Sequence, residues 1–112
     1  MDNRGIDIVK NMKTVEWLKS ELLGNVAYLH RIFIHSEENS RENIEDTLSN
    51  IILESYILAQ RLGISFKDLD YALRENIRLN LIEEHKIEKW YGDLSRLLDY
   101  LEARENRGEV FE

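Results

Sequence analysis

Carboxylate and amide side chains beside a helical apolar face are the first candidates for chemistry in this chain. Between residues 41 and 62, apolar side chains recur every three or four residues, as one face of an α-helix requires. With Ile51 at the centre of that face, a rotation of about 100° per residue places Thr47, Asn50 and Glu54 roughly 40–100° away from it. These three side chains therefore flank the apolar face.

A second polar set lies in the preceding apolar segment. Relative to Leu22, Asn25 lies about 60° and Glu21 about 100° around the helix. Antiparallel packing of the two helices would bring both sets together and line a cleft. Carboxylate and amide oxygens at this spacing suit Mg²⁺, which prefers oxygen ligands and keeps waters that a phosphate can replace. The alternative interpretation is that these residues only mark the polar edge of the core.

Other catalytic templates are missing from the sequence. It contains no phosphate-binding glycine loop, GxSxG nucleophile motif, HExxH zinc motif or dinucleotide fingerprint. His30, His35 and His85 lack the Glu-x-x-His spacing of di-iron bundles, and His85 with Glu88 is interpreted as a solvated helix surface. Any chemistry must therefore come from carboxylates and amides.

Composition favours a single all-α domain. A chain of 112 residues suits one core, and zero Pro and five Gly leave few interruptions to helical hydrogen bonding. The periodicity predicts four amphipathic helices in a four-helix bundle, with residues 6–12 as either an extension of the first helix or a separate one. The domain is expected over residues 1–104, with a frayed polar tail at 105–112. The helices are predicted at about 14–33, 41–62, 65–77 and 83–103.

Local signals mark where the helices begin and end. The polar stretch from His35 to Ser40 predicts a loop in which Asn39 or Ser40 caps the second helix. Gly63 is expected in the left-handed conformation that ends that helix. Ser65 is expected to cap the third helix, and a bend near Asn80 is expected to separate it from the fourth.

Charge and residue usage limit the partners. Fifteen basic and 22 acidic residues give a net charge of −7, without a basic block, so nucleic acid is not an expected partner. No apolar run approaches the roughly 20 residues of a membrane span, and the start does not resemble a signal peptide. Cysteine is absent from the sequence, which suits a reducing compartment. The protein is therefore expected to be cytoplasmic, with no membrane partner.

Three segments carry a family resemblance: Leu22–Val26, Thr47–Ile52 and the run from Leu58 to Ser65 before the third helix. They resemble the MazG-type all-α nucleoside triphosphate pyrophosphohydrolases. Residues 88–95 further resemble a short MazG-like family of distant relatives. The resemblance implies Mg²⁺-dependent hydrolysis of nucleoside triphosphates to monophosphate and pyrophosphate, with metal-binding acids in pairs on two helices. Those acids would align with Leu22, Asn25, Thr47 and Asn50, so all four carboxylates are absent.

Nearby residues are the candidates for a reduced site. Asn25 and Asn50 offer neutral oxygens, while Asp46 and Glu54 offer carboxylates, and these four are the predicted metal ligands. Glu21 and Glu54 are the candidate catalytic residues, because hydrolysis also needs a group that activates water. The sequence does not choose between these two glutamates as the base.

Aromatic side chains are candidates for stacking on a nucleotide base. Tyr28 and Tyr91 are the predicted nucleotide-binding residues, whereas Trp90 falls on an apolar helix face and is expected in the core. Short helices rarely enclose a ligand alone, so a homodimer or larger homo-oligomer is expected. The alternative function is a non-catalytic helical interaction module that kept the bundle and lost the metal site.

Overall fold

The computed structural model describes residues 4–35, 37, 39–83 and 86–111. Over these residues the chain forms five α-helices and no strand, which confirms the predicted all-α class. The helices belong to two compact units, Met1–Phe66 and Lys67–Glu112. The single domain expected over residues 1–104 stays a prediction. None of the five is both long and apolar enough to cross a membrane. Their bounds are α1 Arg4–Ile32, α2 Arg41–Arg61, α3 Phe66–Ile82, α4 Lys86–Tyr91 and α5 Asp93–Phe111.

In the first unit, α1 and α2 pack as an antiparallel pair. The start of α1 meets the end of α2, where Asn11 Nδ2 donates to the Arg61 carbonyl at 3.0 Å. The inward positions of α1 alternate in steps of four and three from Leu18 to Ile32, which keeps one stripe facing the partner helix. Leu18 and Ile32 are buried on that stripe, and Thr47 and Ala59 are buried on α2. We call this contact the α1–α2 seam.

Local hydrogen bonding explains the ends of α2. Ser40 is the N-cap, and its hydroxyl accepts from the Asn43 N–H at 3.1 Å, which selects Ser40 over Asn39. Gly63 follows the helix with φ 84°, as expected for the residue that ends it. In the predicted loop His35, Glu37, Asn39 and Ser40 are not helical, whereas Ser36 and Glu38 lie outside the described residues. Residues 6–12 extend α1 and do not form a separate helix.

The second unit departs from the predicted boundaries. The bend expected near Asn80 is not observed there, and α3 continues to Ile82. The predicted helix over residues 83–103 is divided at Gly92, which has φ 69° and separates α4 from α5. Beyond residue 104, where a frayed tail is expected, α5 continues to Phe111. No proline interrupts that stretch.

Ion pairs connect α3 to α5 in an antiparallel arrangement. Arg74 Nη2 lies 3.2 Å from Glu105 Oε1, and Arg78 Nη2 lies 2.8 Å from Glu102 Oε1. Arg74 is only 7% exposed, so its charge depends on this pairing. Among the described residues of this unit, Ile77 and Leu101 are the buried apolar ones.

Replacing one buried isoleucine tests the α1–α2 seam. Ile32 is fully buried, so Ile32→Ala is expected to lower the free energy of unfolding by about 2–5 kcal/mol through lost burial and a cavity. Ile52 is 58% exposed, and Ile52→Ala is the matched control, with an expected loss below about 1 kcal/mol. Urea unfolding followed by circular dichroism measures both. Equal losses would contradict the assigned seam.

A pH dependence tests the junction between α4 and α5. Glu88 accepts from the Ser95 hydroxyl at 2.5 Å and from the Ser95 N–H at 3.0 Å. These hydrogen bonds, the hydroxyl first, lower the pKa of Glu88 below its usual value. A lowered folded-state pKa stabilises the fold above the unfolded-state pKa, and this contribution is lost as pH falls through the folded-state pKa.

The melting temperature of the parent is therefore expected to fall more steeply on acidification than that of Glu88→Gln. Scanning calorimetry between neutral and acidic pH measures the difference. Glu83→Gln removes an exposed carboxylate nearby and serves as the control, which should follow the parent. Parallel curves for the parent and Glu88→Gln would disprove the assigned role of Glu88.

Candidate functional site

The centre of the candidate site is a polar pair within the α1–α2 seam. Asn25 Nδ2 donates to Glu54 Oε1 at 2.7 Å, and both side chains are half-buried. Each occupies an inward position of its helix, between apolar neighbours such as Leu22 and Ile51. The structure thus brings together two predicted metal ligands from separate helices. The bond joins Asn25 Nδ2 to Glu54 Oε1 and does not use Asn25 Oδ1 or Glu54 Oε2.

The four positions where acids were expected all lie at or beside the seam. Leu22 is half-buried, as its place on the apolar face predicts, and Thr47 is 2% exposed. The Thr47 hydroxyl donates to the Asn43 carbonyl of its own helix at 2.8 Å, so it is already satisfied. Asn50 is half-buried one turn before Glu54. At these four positions the seam holds two amide side chains, a threonine hydroxyl and a leucine, and no carboxylate.

Two predicted acids lie outside the centre of the seam. Glu21 is exposed, one turn before Asn25 on α1. Asp46 is exposed and lines an open depression with Ser40, Glu42 and Asn43 at the start of α2. It is one residue from the buried Thr47, and the rotation of about 100° per residue directs it away from the seam. Asp46 is therefore not brought to the Asn25–Glu54 pair.

Tyr28 is held close to the polar pair by a contact that the sequence did not reveal. Its hydroxyl accepts from Asn43 Nδ2 at 2.9 Å, and the Arg31 guanidinium lies 5.5 Å from its ring centroid. Asn43 is half-buried one turn before Thr47. This four-residue spacing is the sequence feature that could have indicated that Asn43 faces α1. The hydrogen bond orients the Tyr28 ring on the same unit as Asn25 and Glu54.

Tyr91 belongs to the second unit, at the end of α4. Its ring is exposed and makes an edge-to-face contact with Trp90 at 6.2 Å between centroids. The expectation that Trp90 lies in the core is wrong, since its side chain is 67% exposed. The prediction treated residues 83–103 as one helix, and the break at Gly92 invalidates that periodicity.

The donor set around Glu54 fits a cation that is shared with a phosphate. The described residues contain no cluster of three or more His, Cys, Asp or Glu side chains suited to a metal ion. What the seam offers is one carboxylate, Glu54, with the amide oxygens of Asn25 and Asn50. Mg²⁺ is commonly held by only one or two carboxylates together with substrate phosphates and waters. The residues present therefore suit Mg²⁺ that arrives with a nucleotide.

Comparison with known proteins supplies the family. The model of the MazG-like family matches residues 8–94, which include the α1–α2 seam, all of α3 and α4, and the start of α5. No curated protein and no solved structure matches the chain. The matched segment covers well over half of the sequence, and the chain belongs to the MazG-like family.

Proposed function

We propose that this MazG-like protein binds a nucleoside triphosphate together with Mg²⁺ at the α1–α2 seam and hydrolyses it to monophosphate and pyrophosphate. The observation that carries the proposal is the half-buried Asn25–Glu54 pair, in which Asn25 Nδ2 donates to Glu54 Oε1 at 2.7 Å and thereby holds side chains of two helices together. Partial burial strengthens electrostatic contacts with a bound charge, because less water screens them. Asn25 is one of the four positions where the family's metal-binding acids would align, and Glu54 lies one turn after another of them, Asn50.

Glu54 would hold the cation, with the amide oxygens of Asn25 and Asn50 beside it. Bound Mg²⁺ would compensate the negative charge of the phosphates during hydrolysis. A single carboxylate and neutral amides hold a divalent ion less strongly than four carboxylates do, so we expect the cation to depend on the nucleotide for its affinity. Binding of the nucleotide without a divalent cation should therefore be weak.

Glu21 is the candidate base in this proposal. The Glu54 carboxylate already accepts a hydrogen bond from Asn25. Glu21 is exposed on α1, one turn before Asn25. The Glu21 carboxylate takes a proton from water as the water oxygen bonds to the α-phosphorus. The bond from that phosphorus to the α–β bridging oxygen breaks, and pyrophosphate leaves with the electron pair.

Tyr28 is the candidate contact for the nucleotide base. It lies one turn after Asn25, and the hydrogen bond from Asn43 limits the motion of its ring. A ring held in place costs less conformational entropy when a base stacks on it. Tyr91 belongs to the second unit, and its role in nucleotide binding stays a prediction from the sequence.

Removal of the Glu54 charge tests the proposal most directly. Glu54→Gln keeps the shape and an acceptor for Asn25, so the fold should persist. Turnover should fall by at least about 10²-fold, because weaker cation binding loses charge stabilisation worth several kcal/mol. Glu45→Gln removes the same charge from an exposed position on α2 and is the control. Pyrophosphate release from a panel of nucleoside triphosphates with Mg²⁺ or Mn²⁺ measures the effect. Calorimetric titration measures nucleotide binding with and without the cation.

The same experiment distinguishes the alternative function. If the parent protein neither binds nor cleaves any triphosphate in the presence of the cation, the proposal fails. The alternative, a non-catalytic helical interaction module, would then be retained. Equal turnover in the parent and in Glu54→Gln would also reject the assigned site.

A second substitution separates binding from chemistry. Glu21→Gln removes the candidate base without touching the Asn25–Glu54 bond, so the nucleotide dissociation constant should change less than about threefold. Turnover should fall by about 10²–10⁴-fold, as expected when a general base is lost. Titration calorimetry and pyrophosphate release measure the two quantities. A parallel loss of affinity and turnover would assign Glu21 to binding instead.

A further inference from the structure

A second face of α1 carries apolar side chains that the α1–α2 seam does not use. Six residues spaced by three, four, three, four and three positions form this face, which is the spacing of a helix–helix contact. All six are exposed, and the four apolar ones keep between 48% and 72% of their surface accessible. We call it the outer face of α1, formed by Val9, Met12, Glu16, Lys19, Leu23 and Val26.

The order of residues on the outer face is symmetric. Two apolar side chains come first, then Glu16 and Lys19, and then two more apolar side chains. The Lys19 Nζ to Glu16 Oε1 distance is 2.8 Å, so the opposite charges lie side by side at the centre of the face. An open depression of about 410 Å³, lined by Val9, Met12, Lys13 and Glu16, lies at the amino-terminal end of the face.

This symmetry makes the face complementary to itself. When two copies of α1 pack antiparallel about a two-fold axis between Trp17 and Leu18, residues whose numbers add to 35 lie opposite each other. Glu16 then faces Lys19 of the second copy, and Lys19 faces its Glu16. In the same register the apolar residues face one another, as Val9 with Val26 and Met12 with Leu23.

Other arrangements of the same face lose the charge match. A parallel pair would place Glu16 against Glu16 and Lys19 against Lys19, and like charges repel at such a contact. An antiparallel pair shifted by seven residues, with numbers adding to 42, would place Glu16 against Val26 and Lys19 against Leu23. Only the register centred between Trp17 and Leu18 joins both opposite charges and both apolar pairs.

We propose that the outer face of α1 binds the outer face of a second copy of this chain, antiparallel and in that register. The contact spans about 25 Å along the helix, from Val9 to Val26. A contact of one helix face is small for a protein interface, so the dimer should dissociate on dilution. The proposal does not depend on the nucleotide site, because the seam and the outer face use different residues.

Charge reversal tests the pairing. Glu16→Lys or Lys19→Glu alone places like charges opposite each other, and either should weaken self-association at least about tenfold. The double variant with both changes restores opposite charges and should dimerise like the parent. An equimolar mixture of the two single variants should form a heterodimer, although neither associates alone. Sedimentation velocity across a concentration range measures association against the 13.3 kDa monomer.

Engineered cysteines test the register, because the chain has no cysteine of its own. Met12→Cys mixed with Leu23→Cys should form an intermolecular disulfide under mild oxidation. Each variant alone should not, since like residues would be about 16 Å apart along the axis and a disulfide needs Cα atoms within about 7 Å. A monomeric parent at every concentration overturns the proposal. A dimer that is insensitive to charge reversal, or that cross-links through Leu23→Cys alone, overturns it equally.

Discussion

The α1–α2 unit depends on one hydrogen bond between an amide and a carboxylate in a mainly apolar seam. Glu54 is half-buried and needs a donor, and Asn25 on the facing helix supplies it at 2.7 Å. Sliding one helix along the other by one step of three or four residues would place Glu54 against Leu22 or Leu29, neither of which can donate. A half-buried carboxylate without a donor is costly, so this pair selects one register of the two helices.

The same bond connects the fold to the proposed function. A polar pair inside a seam weakens apolar packing locally, yet it leaves oxygens from two helices close enough to act on one ligand. The side chains at the neighbouring positions Thr47 and Leu22 need no ligand. The buried Thr47 hydroxyl is hydrogen-bonded within its own helix, and Leu22 is apolar. The proposed site is therefore confined to the polar part of the seam.

Much of the first unit could be predicted from the sequence, because its signals are local. The apolar spacing predicts α1 and α2. The hydroxyl of Ser40 caps the start of α2, and Gly63 follows its end in the left-handed conformation. Both signals can be read without knowledge of distant contacts. Gly92 could not be interpreted in this way. A glycine within a helical period is tolerated in many helices, and here the break accompanies the hydrogen bonds between Glu88 and Ser95 across it.

Non-local contacts explain the remaining differences. Arg74 pairs with Glu105, 31 residues away, within the part of α5 that was expected to fray. Spacing was sufficient to nominate Asn25 and Glu54, since both are inward positions of regular helices. The Tyr28–Asn43 bond depends on how the two helices are aligned, and periodicity along one helix carries no such information.

The short connection between α1 and α2 bears on how quickly the first unit can assemble. Only residues 33–40 separate the two helices, so the ends of the seam meet with little loss of loop entropy. Helical chains with such local topology typically fold in microseconds to milliseconds. The first unit can therefore acquire its structure during synthesis, before the second unit has been made.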